Sequence, residues 1–138
     1  MPNLQMIRYG SYGILTQEAK LLLTLKKSGP YKGLWGLPGG AIEFGESPEA
    51  TLKRELVEEV ALMADRLELL NIASSVGKYE TKGGEYFFHH IGIIYRVLEF
   101  QTIFDLIPEE EARWIRLEEI QPMELTPFAK HVFNGSSF

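Results

Sequence analysis

An α/β fold, with a mixed β-sheet carrying helices on both faces, is what the sequence predicts. Three observations predict it. Two strand-like segments open the chain, a strongly patterned helix follows from Pro48, and several further strands lead to a second capped helix. At 138 residues the chain is expected to form a single domain, 1–138, burying roughly two-thirds of its unfolded surface. Its 45% apolar and 24% charged residues are ordinary for a globular protein.

Residues 4–16 have strand character through Tyr9, Tyr12, Ile14 and Leu15, with an interruption at Gly10 and Gly13. Gln17-Glu18-Ala19 is a turn, and Lys20–Lys27 a second strand whose Leu21-Leu22-Leu23 run predicts burial on both faces. Ser28–Leu37 is a Gly- and Pro-rich loop. It carries Trp35, expected as a core anchor beneath the following glycines, and Tyr31, expected at the surface as a base-stacking candidate. After the helix, Asp65–Ser75 and Val76–Glu80 read as strand, Lys82-Gly83-Gly84 as a hairpin turn, and Glu85–Glu99 as the longest apolar strand. His89 and His90 are neighbours on that strand, so they point to opposite faces and do not readily share one metal ion. Gln101–Pro108 is a connector, Ala112–Leu117 a strand, and Glu118–Ile120 a turn or short helix. Thr126-Pro127 is an N-cap followed by a first-position proline, opening a helix that Asn134-Gly135 would close.

The chain contains no cysteine, which excludes disulfides, thiolate catalysis and cysteine zinc sites. No basic-then-apolar leader and no run of 18 apolar residues occurs, so a cytoplasmic location without membrane association is expected. Net charge is −5, and residues 43–59 set six glutamates against Lys53 and Arg54, a local −4. Such a surface repels a nucleic-acid backbone, and stable nucleic-acid binding is not expected. It would repel a diphosphate as well, unless metal ions reverse the local field.

The most informative stretch is Gly39–Leu62. Ser47 is a good N-cap, Pro48 suits the first helical position, and Glu49 suits the positive end of the helix dipole. At ~100° per residue, Glu55, Glu58 and Glu59 fall within roughly 100° of arc, and Leu52, Leu56 and Val60 form an apolar stripe beside them. One edge of the helix therefore grips a core while the next presents three carboxylates, expected to be exposed. That arrangement is tolerable if the acids are solvated, paired with Arg54, or bridged by divalent cations, which take oxygen ligands. The acids abut the apolar stripe, and Pro38-Gly39-Gly40 precedes them, where a missing Cβ lets a ligand approach the backbone.

This stretch resembles the Nudix box, Gly-x5-Glu-x7-Arg-Glu-U-x-Glu-Glu-x-Gly-U, where U is a bulky apolar residue. Gly40, Glu46, Arg54, Glu55, Leu56, Glu58, Glu59 and Leu62 match in register, and Ala61 replaces the second glycine. Either Ala61 ends the helix in a left-handed conformation, at about 1 kcal/mol or more, or the helix runs on through Leu62 and Met63.

The resemblance implies a Nudix-type α/β/α sandwich and a pyrophosphohydrolase that cleaves the diphosphate of a nucleoside diphosphate linked to another moiety, with Mg²⁺ or Mn²⁺ as cofactor. It implies Glu58 and Glu59 as metal ligands, Glu55 as ligand or general base, and Arg54 as the group orienting Glu55 or pairing with Glu58. The Gly39 carbonyl is a further candidate ligand, Gly40 lets the loop turn, and Glu46 ties the loop to the helix through Arg54. Some members recruit an acid from outside the box; Glu109, Glu110 and Glu111 are the candidates, against a solvated acidic turn.

For the nucleotide-type substrate, Tyr31 and Tyr79 are candidate contacts; Tyr79 lies 17 positions beyond Leu62, as in diadenosine polyphosphate hydrolases. The proline typical of ADP-ribose hydrolases is absent from Ser75-Val76-Gly77-Lys78. Lys78, Lys82 and Arg96 are either phosphate contacts or solvated cations. A homodimer is a family analogy. The alternative function is a nucleotide-binding sensor without catalysis, in which box carboxylates are usually lost.

Overall fold

The computed structural model describes residues 4–121 and 124–135. Its elements are strands β1 (Leu4–Ile14), β2 (Thr16–Gln17), β3 (Lys20–Leu25), β4 (Trp35–Gly36) and β5 (Gly39–Ala41), helix α1 (Pro48–Val60), strands β6 (Leu62–Thr81), β7 (Gly84–Thr102) and β8 (Ala112–Arg116), and helix α2 (Pro127–Gly135). A 3-10 turn, Leu117–Glu119, follows β8. Among the described residues no helix is long and apolar enough to cross a membrane.

The main sheet has the order β5-β1-β7-β6 and is mixed, as expected: β1 pairs parallel with β7, while β5 and β6 lie antiparallel to their neighbours. Gly10 and Gly13 do not interrupt β1, which stays paired from Leu4 to Ile14. The strands read separately over 65–75 and 76–80 are one continuous β6. A smaller sheet is built on β3, with β8 along one edge and β2 and β4 at the two ends of the other. The Leu21-Leu22-Leu23 run of β3 is buried on both faces because consecutive leucines feed two different cores.

One core lies under α2 and the other under α1, so the helices sandwich the sheets. Leu52, Leu56 and Val60 of α1 pack on Tyr95, Val97, Leu62 and Leu15. Phe128, Ala129 and Val132 of α2 pack on Tyr12, Ala73 and Ile94 on the opposite face. Gly92 makes this second contact possible, because a Cβ there would lie within 2.1 Å of the Phe128 ring. The caps form as the sequence predicts: Ser47 Oγ accepts from the Ala50 N–H at 3.1 Å, and Thr126 Oγ1 from the Ala129 N–H at 3.0 Å.

The first of the two alternatives for Ala61 is realised. α1 stops at Val60, and Ala61 sits left-handed at φ 54°, ψ 45°, its N–H reaching back to the Leu56 and Val57 carbonyls. Leu62 then enters β6 at once. An alanine in this conformation carries strain of about 1–2 kcal/mol. Ala61→Gly relieves it, partly offset by the greater freedom glycine gives the unfolded chain. We expect a net gain of about 0.5–1 kcal/mol, read as a melting temperature higher by roughly 2–4 °C; an unchanged or lower value would contradict the strain.

Candidate active site

Arg54 organises the acidic edge of α1. Its Nε donates to Glu46 Oε2 at 2.8 Å and Nη2 to Glu46 Oε1 at 3.0 Å, a two-point fork. Nη1 donates to Glu55 Oε1 at 2.9 Å and Glu58 Oε2 at 3.2 Å. Glu46 also accepts from the Glu43 N–H and the Thr51 hydroxyl, which ties the 43–47 turn to the helix. The Arg54 guanidinium and these donors hold the Glu46 carboxyl down at about pH 2.

The three helix acids are not equivalent. Glu58 lies at the rim, with its side chain 42% exposed. Glu55 is largely buried, and burial raises its pKa against the opposing pull of Arg54. Glu59, expected on an exposed edge, is only 7% exposed. The helix rotates it inward over β5, where Oε1 accepts the Gly39 N–H at 2.9 Å. Burial, and then the Glu110 carboxylate alongside, push its pKa well above the usual range, while Lys26 pulls it back.

The glycines differ from their expected roles. Gly39 and Gly40 belong to strand β5, paired with Tyr12 and Ser11, and not to an open loop. Gly39, at φ 140°, has no room for a side chain because a Cβ would collide with the Ser11 carbonyl. At Gly40 a Cβ would stand 2.6 Å from the Glu55 carboxyl carbon. Gly40 therefore makes space for Glu55; it does not turn the chain.

Of the three acids outside the helix, Glu110 reaches the site. Its N–H donates to the Glu59 carbonyl at 3.1 Å, and the N–H of Glu109 to the Glu58 carbonyl at 3.0 Å, pinning this loop to the end of α1. Glu110 Oε2 is buried with no hydrogen-bond partner, and Lys26 Nζ stands off at 3.9 Å. Glu109 lines the cavity mouth and Glu111 turns outward to Arg113 at 3.2 Å.

A cavity of about 320 Å³ opens beside these acids. Tyr12, Tyr31, His90 and Phe128 form its aromatic end, and Gly39, Glu55, Glu59 and Glu110 its acidic end. Tyr31, expected at the surface, is 6% exposed, its ring stacked on His90 and edge-on to Phe88. Tyr79 sits behind Tyr31 at 5.8 Å between ring centres and does not line the cavity. Trp35 is half-buried against the core under α2 and the Arg113 guanidinium. Burial, with Arg8 and Lys26 nearby, lowers the His90 pKa to about 4, so its ring is neutral at pH 7. The Tyr12 hydroxyl and His90 Nε2 are hydrogen-bonded at 2.6 Å, and His90 Nδ1 faces Tyr31 Oη at 3.3 Å.

Sequence reasoning passed over Lys26, Tyr12, His90 and Arg8 as cavity groups. Lys26 Nζ donates to Thr24 Oγ1 and to the Leu37 carbonyl, which hold it among the carboxylates. Lys78, Lys82 and Arg96 do not line the cavity, and Lys78 is paired with Glu85 at 3.0 Å.

These groups suit the divalent cation that the box implies. Buried carboxylates with raised pKa and an unsatisfied Glu110 oxygen are hard donors short of positive charge. Among the described residues no three acids or histidines form a complete cation cage. An ion held here would draw only part of its shell from these oxygens and the rest from water or phosphate oxygens, as Mg²⁺ commonly does.

Fold and site define an α/β/α sandwich in which one acidic helix edge faces a glycine strand and an aromatic cavity. The chain belongs to the Nudix family: its residues 6–134 match the NUDIX domain. Among solved structures, a MutT NUDIX hydrolase from Burkholderia pseudomallei is 26% identical, with a TM-score of 0.72 over 91% of this chain and 94% of that one. A MutT protein from Bacillus halodurans is 26% identical, with a TM-score of 0.68 over 92% and 80%. Among curated proteins, one of Mycobacterium tuberculosis named "Putative 8-oxo-dGTP diphosphatase 3" is 32% identical over 130 residues, 87% of this chain and 58% of the relative. An ADP-ribose pyrophosphatase of Methanocaldococcus jannaschii is 41% identical over 63 residues, 46% of this chain and 37% of the relative. The chain matches only part of the length of either curated relative.

The depressed Glu46 pKa sets a pH signature. A carboxylate held at about 2 when folded adds stability above its ordinary value near 4.5, and that stability is lost as pH falls toward 2. Urea unfolding should therefore separate wild type from Glu46→Gln at pH 7, with the gap closing between pH 4.5 and 2. A gap independent of pH would mean that Glu46 acts by packing alone.

Proposed function

We propose that the chain, as a single Nudix domain, is a divalent-metal-dependent pyrophosphohydrolase that cleaves the diphosphate linkage of a nucleoside triphosphate or a related nucleotide. The observation that carries this reading is the acidic end of the cavity. Glu59 and Glu110 lie together in a dry site with one oxygen unsatisfied, next to Glu55 and the Gly39 strand. A compact cation would relieve that arrangement with both acids ionised, and it would sit at one end of the cavity.

Glu59 and Glu110 would hold the ion, with Glu58 at the rim. When bound, Mg²⁺ or Mn²⁺ supplies charge neutralisation at phosphate oxygens and a water of lowered pKa. Glu55, raised in pKa and fixed by Arg54, has the environment of a proton acceptor for that water. Arg54 keeps Glu55 and Glu58 aimed while neutralising the edge. Tyr31, His90 and Phe128 offer neutral aromatic surface for a base. A triphosphate is the first class to test, because the relative aligned over most of this chain carries the 8-oxo-dGTP diphosphatase name. The ADP-ribose relative matches less than half of it.

The test is phosphate or pyrophosphate release from normal and oxidised nucleoside triphosphates, a dinucleoside polyphosphate, nucleotide sugars and ADP-ribose, with and without Mg²⁺ or Mn²⁺. Metal-dependent turnover is expected, and its absence from the whole panel would favour the sensor alternative. Glu59→Gln should fold at least as stably as wild type without metal, since its amide oxygen can still accept the Gly39 N–H and no charge is buried. It should lose activity on the order of 100-fold or more.

A second readout is independent of turnover. Saturating Mg²⁺, at about 100 times its Kd, stabilises by roughly 2.7 kcal/mol and raises the wild-type melting temperature by several degrees. Glu59→Gln should show little of this shift, and an undiminished shift would place the ion elsewhere.

A further inference from the structure

Side chains two apart on a strand share a face, so Arg8 stands on the cavity side of β1 with Gly10 and Tyr12. Gly10 leaves a gap that the Tyr12 ring fills, since a Cβ there would stand 2.5 Å from Tyr12 Oη. The ring therefore lies along the strand with its hydroxyl toward Arg8. Burial raises the Tyr12 pKa, and the Arg8 charge close by pulls it back. Strand register sets Arg8 opposite His90, and His90 opposite Ser75. A polar row thus crosses three strands within an aromatic face. Phe88 heads the next row on that face, and the Arg8 guanidinium carbon lies 5.5 Å from its ring centre.

The buried members of this cluster turn their polar atoms on one another. His90 Nε2 is bonded to the Tyr12 hydroxyl, and Nδ1 faces that of Tyr31. The Tyr31 hydroxyl also lies against those of Tyr79 and Ser75. Three cations line the cavity among the described residues: Arg8, Lys26 and Lys27. Lys26 is held near Glu110 and Lys27 at the Glu109 carbonyl, both at the acidic end. Arg8 is exposed at the aromatic end and enters no ion pair among the described residues. A guanidinium has five N–H donors, no acceptor, and a charge that does not titrate in the working range. The cavity therefore meets a ligand at this end with a group that can only donate.

We infer that Arg8 is a specificity-determining residue of the cavity, selecting a 6-oxopurine over a 6-aminopurine. This rests on the function proposed above, in which an ion holds the phosphates at the acidic end and the base lies among the aromatic rings. A 6-oxopurine presents O6 and N7, two acceptors at the spacing of two guanidinium N–H bonds. Adenine presents N7 beside an N6 amino group, whose N–H bonds would face those of Arg8 with no acceptor between them. The carboxylates that could accept from that amino group, Glu55, Glu59, Glu109 and Glu110, lie at the other end of the cavity. A site built to donate leaves its donors unpaired when the ligand brings donors of its own, and that is a large penalty where water is excluded.

The test compares deoxyinosine with deoxyadenosine nucleotides, which differ at position 6 and in the N1 proton that goes with it. With Mg²⁺, kcat/KM should favour deoxyinosine triphosphate by on the order of 10-fold or more. Arg8→Gln should bring that ratio to about one or below, because a glutamine amide pairs with N6 and N7 of adenine. Its circular dichroism should match wild type, since Arg8 is exposed. Lys78→Gln removes the same charge outside the cavity and should keep the wild-type ratio. Calorimetry with the two monophosphates repeats the comparison without turnover. A chain that hydrolyses neither triphosphate, yet binds deoxyinosine monophosphate more tightly in an Arg8-dependent way, would sink the proposed reaction and leave this inference standing. Equal handling of the two bases in turnover and in binding would overturn the inference. So would a chain that binds neither monophosphate, a preference that survives Arg8→Gln, or one that Lys78→Gln abolishes as fully.

Discussion

One guanidinium makes the acidic helix possible. Three glutamates on a single edge of α1, with Glu46 facing them, would repel one another; Arg54 answers Glu46, Glu55 and Glu58 with three nitrogens of one planar group. A lysine could neutralise the same charge but could not fix three carboxylates in one geometry. With Glu46 and Glu55 held toward Arg54, the space over β5 is left to Glu59, which turns inward and meets the Gly39 N–H. The fork at the surface thus sets the orientation of the group in the interior.

That interior group is where the structure is least comfortable. A carboxylate almost wholly removed from water resists ionisation, and a second carboxylate beside it adds repulsion. The chain mitigates this with what it has: one backbone N–H, and Lys26 held at 3.9 Å from Glu110 by Thr24 and the Leu37 carbonyl. Neither donates to Glu110 Oε2, which remains unsatisfied. Folding energy from the α1 and α2 cores maintains this arrangement, a common relation between a scaffold and a strained site.

How much could be read from the sequence depended on how local the determinant was. The Ser47 cap, the apolar stripe and the Glu46–Arg54 tie follow from helix spacing within one segment, and they were legible. Ala61 left two geometries open because an alanine can continue a helix; the choice was made by Leu62 entering β6 at once. The burial of Tyr31 was not legible, since its Gly- and Pro-rich surroundings suggest exposure. The rings that enclose it, Phe88 and His90, lie nearly sixty residues later in the chain. Lys26 stands next to Lys27 with no local mark to distinguish them; both line the cavity, yet Lys26 is held near Glu110 and Lys27 at the Glu109 carbonyl. Gly40 looked like a turn glycine because sequence shows that a Cβ is missing but not what fills its place, here Glu55.

Glu109, Glu110 and Glu111 show the same limit most sharply, since three identical residues in a row carry no signal of which will matter. Backbone hydrogen bonding decides it. An α-helix ends with unsatisfied carbonyls, and in α1 those of Glu58, Glu59 and Ala61 are met by the N–H groups of Glu109, Glu110 and Ile103. The loop is therefore locked in register against the helix terminus, and that register delivers the Glu110 side chain to Glu59. The same terminus carries the negative end of the helix dipole and has no basic residue in its last turn. Glu58, Glu59 and Glu110 thus set three acids at a place the backbone already makes negative. Helices ordinarily put cations there. Here the fold instead assembles acids at such a position, and the backbone register of the helix terminus is what brings them together.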